Sequence, residues 1–471
     1  MDHPVQVIDV RHPRRTRILG WIAVGSVATI LAVVALRPDI AARGATGLTA
    51  HNICSAVFVA NLSPDLTFEE QVRPLLGPAA VAVRYSVDKD HGFVEASFAG
   101  VTLAHAGYRA GEGCQLGRAG TPSTTVSPTL PLGPEPVQAR NAGLARALDL
   151  EFAETKGAPI KRVKAVVVLQ DGDIIAERYA PGFGPATPLL SWSVAKSVSN
   201  ALVGVLVRRE RLSVGDRDLA PEWTGTADQR RRITLEDLMR MRSGLEAAES
   251  GAPTDAVTRM LYTAPDMAAF AANHSLAQIP GTSWSYTSTN TLLVDRVLGR
   301  EVGGGPAGLR AFAQRELFGP LGMGDVTMEF DAAGTFIGSS YVYASARSFA
   351  RFGELYLDDG VTRDGRRILP AGWVAWSRTS TLGQPYGAGF WTNDGPSELV
   401  TNRVAAGFPK DGFFASGNMG QRIYIVPSQR LVVARFGYSA PPTFGIADDI
   451  ELIAAAIRAR RQWPNAPVPQ Q

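Results

Sequence analysis

The sequence predicts an α+β fold for most of the chain, with a sheet that pairs strands from the two ends of one domain. AVVVLQ and IIAERY flank Asp171-Gly172-Asp173, and an Asp-Gly pair between apolar runs is a strong hairpin signal. QRIYIV and LVVARFG form a second hairpin around Pro427. Because the residues between these hairpins are rich in helical patterns, the sheet is expected to be covered by helices.

The α+β domain is expected to span residues 138–463. It opens with a helical stretch, ARNAGLARALDLEFAET, and ends in an apolar-periodic helix, GIADDIELIAAAIRARR. Residues 119–137 are rich in Pro, Ser and Thr, which is typical of an extended linker. The tail 464–471 is predicted to be disordered.

Residues 50–118 are expected to form a small separate module. VFVANL and AVAVRYSVDKDHGFVEASFAG are predicted to be short strands with polar turns, which favours a small α/β or β-rich unit. The chain has only two cysteines, Cys54 and Cys114, and both lie in this region. In an exported chain such a low, even count favours a disulfide, and two free buried thiols are the alternative.

The N-terminus carries the pattern of a targeting segment. Residues 18–36 form a run of 19 residues without a charge, about the length that spans a hydrocarbon core. Four arginines precede the run: Arg11, Arg14, Arg15 and Arg17. The positive-inside rule then places residues 1–17 in the cytoplasm and the rest outside, in the periplasm or extracellular space. We expect a single-pass membrane anchor, and secretion after signal cleavage is the alternative.

Composition limits the classes of partner. The 471 residues are 45% hydrophobic and 19% charged, with a formal net charge of +3. Since the four early arginines account for this excess, nothing indicates nucleic acid as a partner. The motifs below predict a small-molecule amide or ester substrate. They imply no cofactor or metal, because the histidines are scattered without the spacing of zinc ligands.

The most informative motif is the S-x-x-K tetrad from Ser193 to Lys196, followed by a run that is apolar nearly all round. Such a run predicts a buried helix, with Ser193 at its N-terminus. Residues at i and i+3 share a helical face, so the lysine amine can reach the serine hydroxyl. Burial and the positive helix end lower a lysine pKa, and a neutral amine can activate a serine nucleophile. Taken alone, the tetrad also fits a helix cap followed by a structural lysine.

The second motif, PGTSWSYTSTN, places Tyr286 just before an apolar helix that starts at about Asn290. A tyrosine hydroxyl at such a junction can relay protons. The alternative is an aromatic side chain packed beside Trp284.

The third motif, FFASGNMGQRIYIV, contains Gly417, Asn418 and Gly420. The two glycines permit close backbone approach beside a strand, where a backbone N–H can serve as the second oxyanion donor. An ordinary turn with a bulge is the alternative.

Five segments in order resemble the serine β-lactamase-like and penicillin-binding-protein-type hydrolases: SWSVAKS, ITLEDLMRMRSGL, PGTSWSYTSTN, YVYASARSFARFGELYLDDG and FFASGNMGQRIYIVPS. The likeness covers roughly residues 160–440. It is nearest to the 6-aminohexanoate-dimer-hydrolase-like branch, through the Y-x-S-x-N and G-x-x-G-Q forms of the second and third motifs.

The resemblance implies a β-lactamase/transpeptidase-like fold, in which a five-stranded antiparallel sheet flanked by helices adjoins a helical lobe. It implies that Ser193 is the acylated nucleophile, Lys196 its base or orienter, and Tyr286 the second acid/base. The expected activity is hydrolysis of an amide or ester through an acyl-enzyme. A non-catalytic sensor or scaffold, and a D,D-carboxypeptidase or β-lactamase, are the alternatives.

The chain departs from the family pattern at two motifs. Ser288 replaces the amide of Y-x-N, and the nearest amide is Asn290, so both are candidate supporting residues. The K-T-G motif of penicillin-recognising members is absent, and Asn418 stands at the expected position. Without a cation there, a penicillin carboxylate lacks a charge-assisted partner, which predicts poor turnover of penicillins.

Overall fold

The computed structural model describes residues 38–121, 134–157, 160–439 and 446–462. The basic N-terminus, the apolar run 18–36, most of the linker and the tail 464–471 lie outside these residues. Within the described ranges, no helix is both long and apolar enough to cross a membrane.

The N-terminal region combines helices with a four-stranded antiparallel sheet. Its helices are α1 (Pro38–Phe58), α2 (Pro64–Thr67) and α3 (Arg73–Leu76). Its strands are β1 (Val83–Asp88), β2 (Phe93–Phe98), β3 (Val101–Arg109) and β4 (Gly113–Leu116), in the order β1-β2-β3-β4. A disulfide joins Cys54 of α1 to Cys114 of β4, as predicted. The bond ties the helix to the edge of the sheet within a core of its own.

The prediction of a strand at VFVANL is wrong. Val57 and Phe58 form the last turn of α1, and the chain then turns towards α2. The buried apolar positions Ala50, Ile53 and Val57 follow the period of a helix and face the module core. A helix that begins at Pro38 carries this pattern through the segment, so the structured region also starts ahead of residue 50.

In its described residues, the larger domain contains nine further strands. They are β5 (Val163–Gln170), β6 (Asp173–Tyr179), β7 (Leu189–Leu190), β8 (Thr327–Met328), β9 (Val342–Ala344), β10 (Trp391–Thr392), β11 (Phe413–Gly417), β12 (Gln421–Val426) and β13 (Leu431–Gly437). The α-helices of this part are α4 (Ala142–Phe152), α5 (Ala195–Arg208), α6 (Leu235–Met239), α7 (Ala256–Thr263), α8 (Met267–Ala272), α9 (Ser288–Val302), α10 (Gly305–Ala313), α11 (Ala346–Leu357), α12 (Trp373–Ser377), α13 (Glu398–Ala405) and α14 (Ile446–Gln462).

The main sheet is antiparallel in the order β10-β11-β12-β13-β5-β6. It has six strands rather than the five expected, because the two residues of β10 extend its edge beyond β11. Both predicted hairpins are present. In the first, Gln170 pairs with Asp173, and the intervening Asp171 and Gly172 both have positive φ, as a two-residue hairpin turn requires. A small sheet, β7-β9-β8, lies beside the main one.

Both faces of the main sheet are buried. Ala165, Val167 and Leu169 of β5 face a core that includes α5 and α11, whereas Val166 and Val168 face α4 and α14. Helices α6 to α10 form the helical lobe, and α9 of this lobe packs against α5. The N-terminus of α5 therefore lies where the lobe, the sheet edge at β11 and the small sheet meet.

The N-terminal module packs directly on the larger domain through buried polar contacts. Ser55 Oγ and the Cys114 backbone N–H both donate to the Glu329 carboxyl, at 2.9 Å. Lys164 Nζ lies 2.6 Å from the Glu70 carboxylate. Burial raises the pKa of Glu329 to about 8, so this carboxyl group is protonated at neutral pH.

Candidate active site

Ser193 lies in a short 3₁₀ turn, Trp192–Val194, that leads into α5. The preceding Trp192 has φ 45°, in the left-handed region that bulky residues rarely adopt. Such a conformation costs on the order of 1–3 kcal/mol and persists only when the surroundings hold it. The Trp192 ring is buried, with its centroid 5.8 Å from that of Tyr341. This packing fixes the direction in which the Ser193 hydroxyl and backbone N–H emerge.

Lys196 lies one turn further along, and its amine joins three parts of the chain. Its Nζ is 3.0 Å from Ser193 Oγ, 2.9 Å from Ser288 Oγ and 3.0 Å from the Ser339 carbonyl oxygen. The expectation that the amine reaches the serine hydroxyl is therefore met in the structure. The side chain is 3% exposed, so these three oxygens replace water around the amine.

Burial lowers the pKa of Lys196 to about 8, and the carboxylates of Glu249 and Asp295 partly offset this effect. A substantial fraction of the amine is therefore neutral near physiological pH. The neutral amine has one lone pair, and the Ser339 carbonyl can only accept a hydrogen bond. The lone pair must face a hydroxyl, and Ser193 is one of the two within reach.

Tyr286 lies just before α9, beside Ser193 and Lys196. Lys196 Nζ is 5.0 Å from the centre of its ring, and its hydroxyl interacts with the Ser193 side chain. Loss of water contact raises the pKa of Tyr286 well above its usual range. The phenol is therefore a proton donor at neutral pH, while the amine of Lys196 is the stronger candidate base.

The two polar residues after Tyr286 have different environments. Ser288 is the first residue of α9 and contacts Lys196 directly, so its hydroxyl takes the place of the expected amide. Asn290 faces the interior of the lobe, where its Oδ1 accepts from Ser243 Oγ at 2.8 Å and its Nδ2 lies 3.8 Å from Met241 Sδ. Asn290 therefore joins α9 to the segment that follows α6 rather than contacting the amine.

The end of β11 lies against the Ser193 turn. A Cβ atom on Gly417 would sit 2.4 Å from the Ser191 carbonyl oxygen and 3.0 Å from Trp192 Cβ, so only glycine fits there. Asn418 is half-buried, and its Oδ1 accepts from the Met419 N–H at 2.9 Å. Gly420 has φ 84° and faces Arg435. The structure thus brings Gly417 to the turn that carries Ser193, while Asn418 and Gly420 shape the turn that follows.

Two cations near this strand differ in their surroundings. Lys410 is exposed in the turn before β11, so the whole strand, about 3.3 Å per residue, separates it from Gly417. Arg422 is buried and donates to the carbonyl oxygens of Gly417 and Gln421, at 3.0 and 2.8 Å. Its charge slightly counteracts the rise in the pKa of Tyr286.

Aromatic side chains form a wall beside Lys196, composed of Trp284, Tyr286, Tyr386 and Trp391. The Tyr286 ring centroid is 5.5 Å from that of Tyr386 and 5.7 Å from that of Trp391. Trp284 and Trp391 are half-buried, so part of each ring faces solvent at the site. Such a surface favours an apolar portion of a ligand.

Sequence reasoning missed two groups that contact the predicted site residues. The Ser339 carbonyl binds Lys196, and the Glu249 carboxylate accepts from the Ser288 backbone N–H at 2.5 Å. Both lie in irregular segments that no periodic pattern marks. Within the described ranges, no group of three or more His, Cys, Asp or Glu side chains is arranged to hold a metal ion.

The sequence and fold place the chain in a known class. The family described as Beta-lactamase matches residues 161–457, which is more than half of the chain. The chain therefore belongs to the Beta-lactamase family, and the main sheet, the helical lobe and the site described above all lie within the matched residues.

Individual proteins and solved structures show which members of the family the chain resembles. The 6-aminohexanoate-dimer hydrolase of Paenarthrobacter ureafaciens is 28% identical over 272 residues, which cover 54% of this chain and 66% of that protein. A structure described as a putative 6-aminohexanoate-dimer hydrolase from Bacillus anthracis has a TM-score of 0.54 at 20% identity, covering 72% of this chain and 89% of that one. A penicillin-binding protein homologue from Caulobacter crescentus has a TM-score of 0.52 at 17% identity, covering 69% and 100% respectively. At these identities the two structures share the fold.

Proposed function

We propose that the protein is a serine hydrolase that cleaves a small amide or ester through a covalent acyl-enzyme on Ser193. The observation that carries this proposal is the 3.0 Å contact between Lys196 Nζ and Ser193 Oγ, made by an amine whose burial lowers its pKa to about 8. A nucleophile within hydrogen-bond reach of a base is the arrangement that acyl transfer requires.

In the proposed mechanism, the neutral Lys196 amine takes the Ser193 proton as Oγ attacks the substrate carbonyl carbon. The backbone N–H of Ser193 and one from the segment 417–420 stabilise the resulting oxyanion. Tyr286 donates a proton to the leaving amine or alcohol, and the carbonyl re-forms as the acyl-enzyme. Water then attacks the acyl carbon while its proton passes to the Tyr286 phenolate, and Ser193 leaves with a proton returned from the Lys196 ammonium.

The charges around the site favour a substrate without an anionic group near the scissile bond. The Glu249 carboxylate acts electrostatically on Lys196, Tyr286 and Tyr386. It would repel a penicillin carboxylate, and Arg422 is held by backbone carbonyls within the turn. Together with the aromatic wall, this arrangement favours apolar acyl or alcohol groups and disfavours the β-lactamase and D,D-carboxypeptidase alternatives.

We further propose that the catalytic domain lies outside the cytoplasm, anchored through residues 18–36. The disulfide between Cys54 and Cys114 is consistent with an oxidising compartment. A reporter fused after Gln471 should be active outside the cytoplasm and should remain with the membrane fraction. A shortened chain released into the soluble fraction would refute the membrane anchor but would still support export of the domain.

The nucleophile can be tested by labelling the purified chain with a fluorescent fluorophosphonate. Wild type and Ser191→Ala should be labelled, whereas Ser193→Ala should be folded but unlabelled and lose turnover by on the order of 10³-fold or more. Ser191 is the matched control, because it is a buried serine two residues away. Labelling that survives in Ser193→Ala would refute the assignment and leave the scaffold alternative.

The substrate class is tested by steady-state kinetics on nitrocefin, a p-nitrophenyl ester and a D-Ala-D-Ala peptide. The ester should be the best substrate, and Glu249→Gln should raise the nitrocefin rate relative to the ester rate. Efficient nitrocefin hydrolysis with negligible esterase activity would overturn the proposed selectivity.

A further inference from the structure

A buried carboxyl group, Asp295, lies behind the catalytic lysine and takes no part in the proposed chemistry. It sits in the middle of α9 with no solvent exposure. Burial raises its pKa well above the usual range, and Lys196 counteracts part of that rise. A carboxyl group placed in a protein interior is costly unless its contacts compensate for the lost water.

The hydrogen-bond partners of Asp295 lie on, or next to, the elements that contain or contact Lys196. Asp295 Oδ1 accepts from Ser199 Oγ at 2.5 Å, and Ser199 lies on α5 one turn after Lys196. The backbone N–H of Gly338 also donates to the Asp295 carboxyl group. The next residue, Ser339, provides the carbonyl oxygen that accepts from Lys196 Nζ. Asp295 therefore connects α9, α5 and the 338–339 peptide, and each of these elements contributes to the lysine site.

The approach of Gly338 to this carboxyl group leaves no room for a side chain. A Cβ atom on Gly338 would lie 2.2 Å from Ser199 Oγ and 2.6 Å from Asp295 Oδ1. Gly338 is therefore in direct contact with the Ser199–Asp295 pair. The Gly338 N–H and the Ser339 carbonyl belong to separate peptide units of one short segment, so this contact anchors the segment one residue before the oxygen that meets the amine.

From these contacts we propose that Asp295 is a positioning residue, which orients Lys196 towards Ser193 through Ser199 and the Gly338–Ser339 peptide. The proposal rests on the function proposed above. Among the described residues, three charged or titratable groups face the amine. They are Asp295 from α9, Glu249 from the loop between α6 and α7, and the Tyr286 phenol. Asp295 differs from Glu249 because it is also hydrogen-bonded to the lysine's own helix.

The test compares Asp295→Asn and Asp295→Leu with wild type, using the second-order rate of fluorophosphonate labelling as a function of pH. Asparagine keeps an oxygen that can accept from Ser199 and Gly338, whereas leucine keeps only the approximate shape. Glu316→Gln is the matched control, since Glu316 is a buried carboxylate paired with arginines away from the site. Circular dichroism establishes that each variant is folded.

Asp295→Leu should label on the order of 10²-fold more slowly, because misplacement of a catalytic group by about 1 Å has that effect. Asp295→Asn should restore most of the rate. Glu316→Gln should match wild type.

A folded Asp295→Leu with the rate of wild type would overturn the inference. So would an Asp295→Asn variant as slow as the leucine variant, because positioning by an acceptor oxygen predicts rescue. If the leucine variant does not fold, Asp295→Ala takes its place, and a folded Asp295→Ala that is labelled at the wild-type rate would overturn the inference. Wild-type protein that is not labelled at Ser193 would refute the proposed function and this inference together, whereas labelling at Ser193 that is insensitive to Asp295 would refute only the inference.

Discussion

Replacing Lys196 by methionine should abolish turnover and change how stability depends on pH. The pKa of Lys196 is about 8 in the folded chain, against 10.5 for an unperturbed lysine, so burial of the ammonium destabilises the folded state by about 3 kcal/mol. This destabilisation is fully present below about pH 8 and is relieved as pH rises towards 10.5, where both states are neutral. Methionine has a similar length and carries no such penalty.

The substitution also removes the three hydrogen bonds of the amine. The Ser339 carbonyl oxygen is then left unpaired in the interior, which costs about 1–3 kcal/mol at every pH. At about pH 7 the two effects nearly cancel, and the unfolding free energies of Lys196→Met and wild type should be similar. Above about pH 10 only the lost hydrogen bonds remain, so the variant should be the less stable by about 1–3 kcal/mol.

Urea unfolding of both proteins between about pH 6 and pH 11 measures this difference directly. Lys156→Met is the control for the loss of one lysine, since Lys156 is exposed. A difference between Lys196→Met and wild type that is constant across the pH range would refute the reasoning, because it would mean that Lys196 titrates alike in the folded and unfolded chains.

Three further measurements test other parts of the site and fold. The labelling rate of wild type should rise roughly tenfold between about pH 7 and pH 9, with a midpoint near 8 set by Lys196; a flat profile would exclude it as the base. Gly417→Ala should slow labelling by on the order of 10²-fold, whereas Gly299→Ala, on an open helix face, should not; equal rates would show that the Ser193 turn tolerates the added methyl group. Replacing Cys54 and Cys114 by serine should lower the unfolding free energy by about 4 kcal/mol for a separation of 60 residues, as measured in urea, and no loss would contradict the chain-entropy argument.

Local features of the site and fold could be predicted because their partners are close in sequence. Ser193 and Lys196 share a helical face through the i, i+3 spacing, and the amine duly meets the hydroxyl. The Asp171-Gly172 turn pairs β5 with β6 because both residues tolerate positive φ. The strand predicted at VFVANL was wrong, because Val57 and Phe58 belong to the end of a helix. A segment of six mostly apolar residues is too short for its pattern to distinguish a helix from a strand.

The sequence by itself thus determined the contact between Ser193 and Lys196, the helix that follows Ser193 and the position of Tyr286 just before α9. Only the tertiary structure decided what surrounds the lysine amine. The Ser288 hydroxyl, the Ser339 carbonyl and the Asp295 carboxyl group lie 92, 143 and 99 residues from Lys196 in the sequence, the first and third on α9 and the second in the segment before β9. The pKa of a lysine depends on how far its amine lies from water and from every nearby charge. These distances exist only once the lobe, the sheet edge and the segment before β9 have packed together.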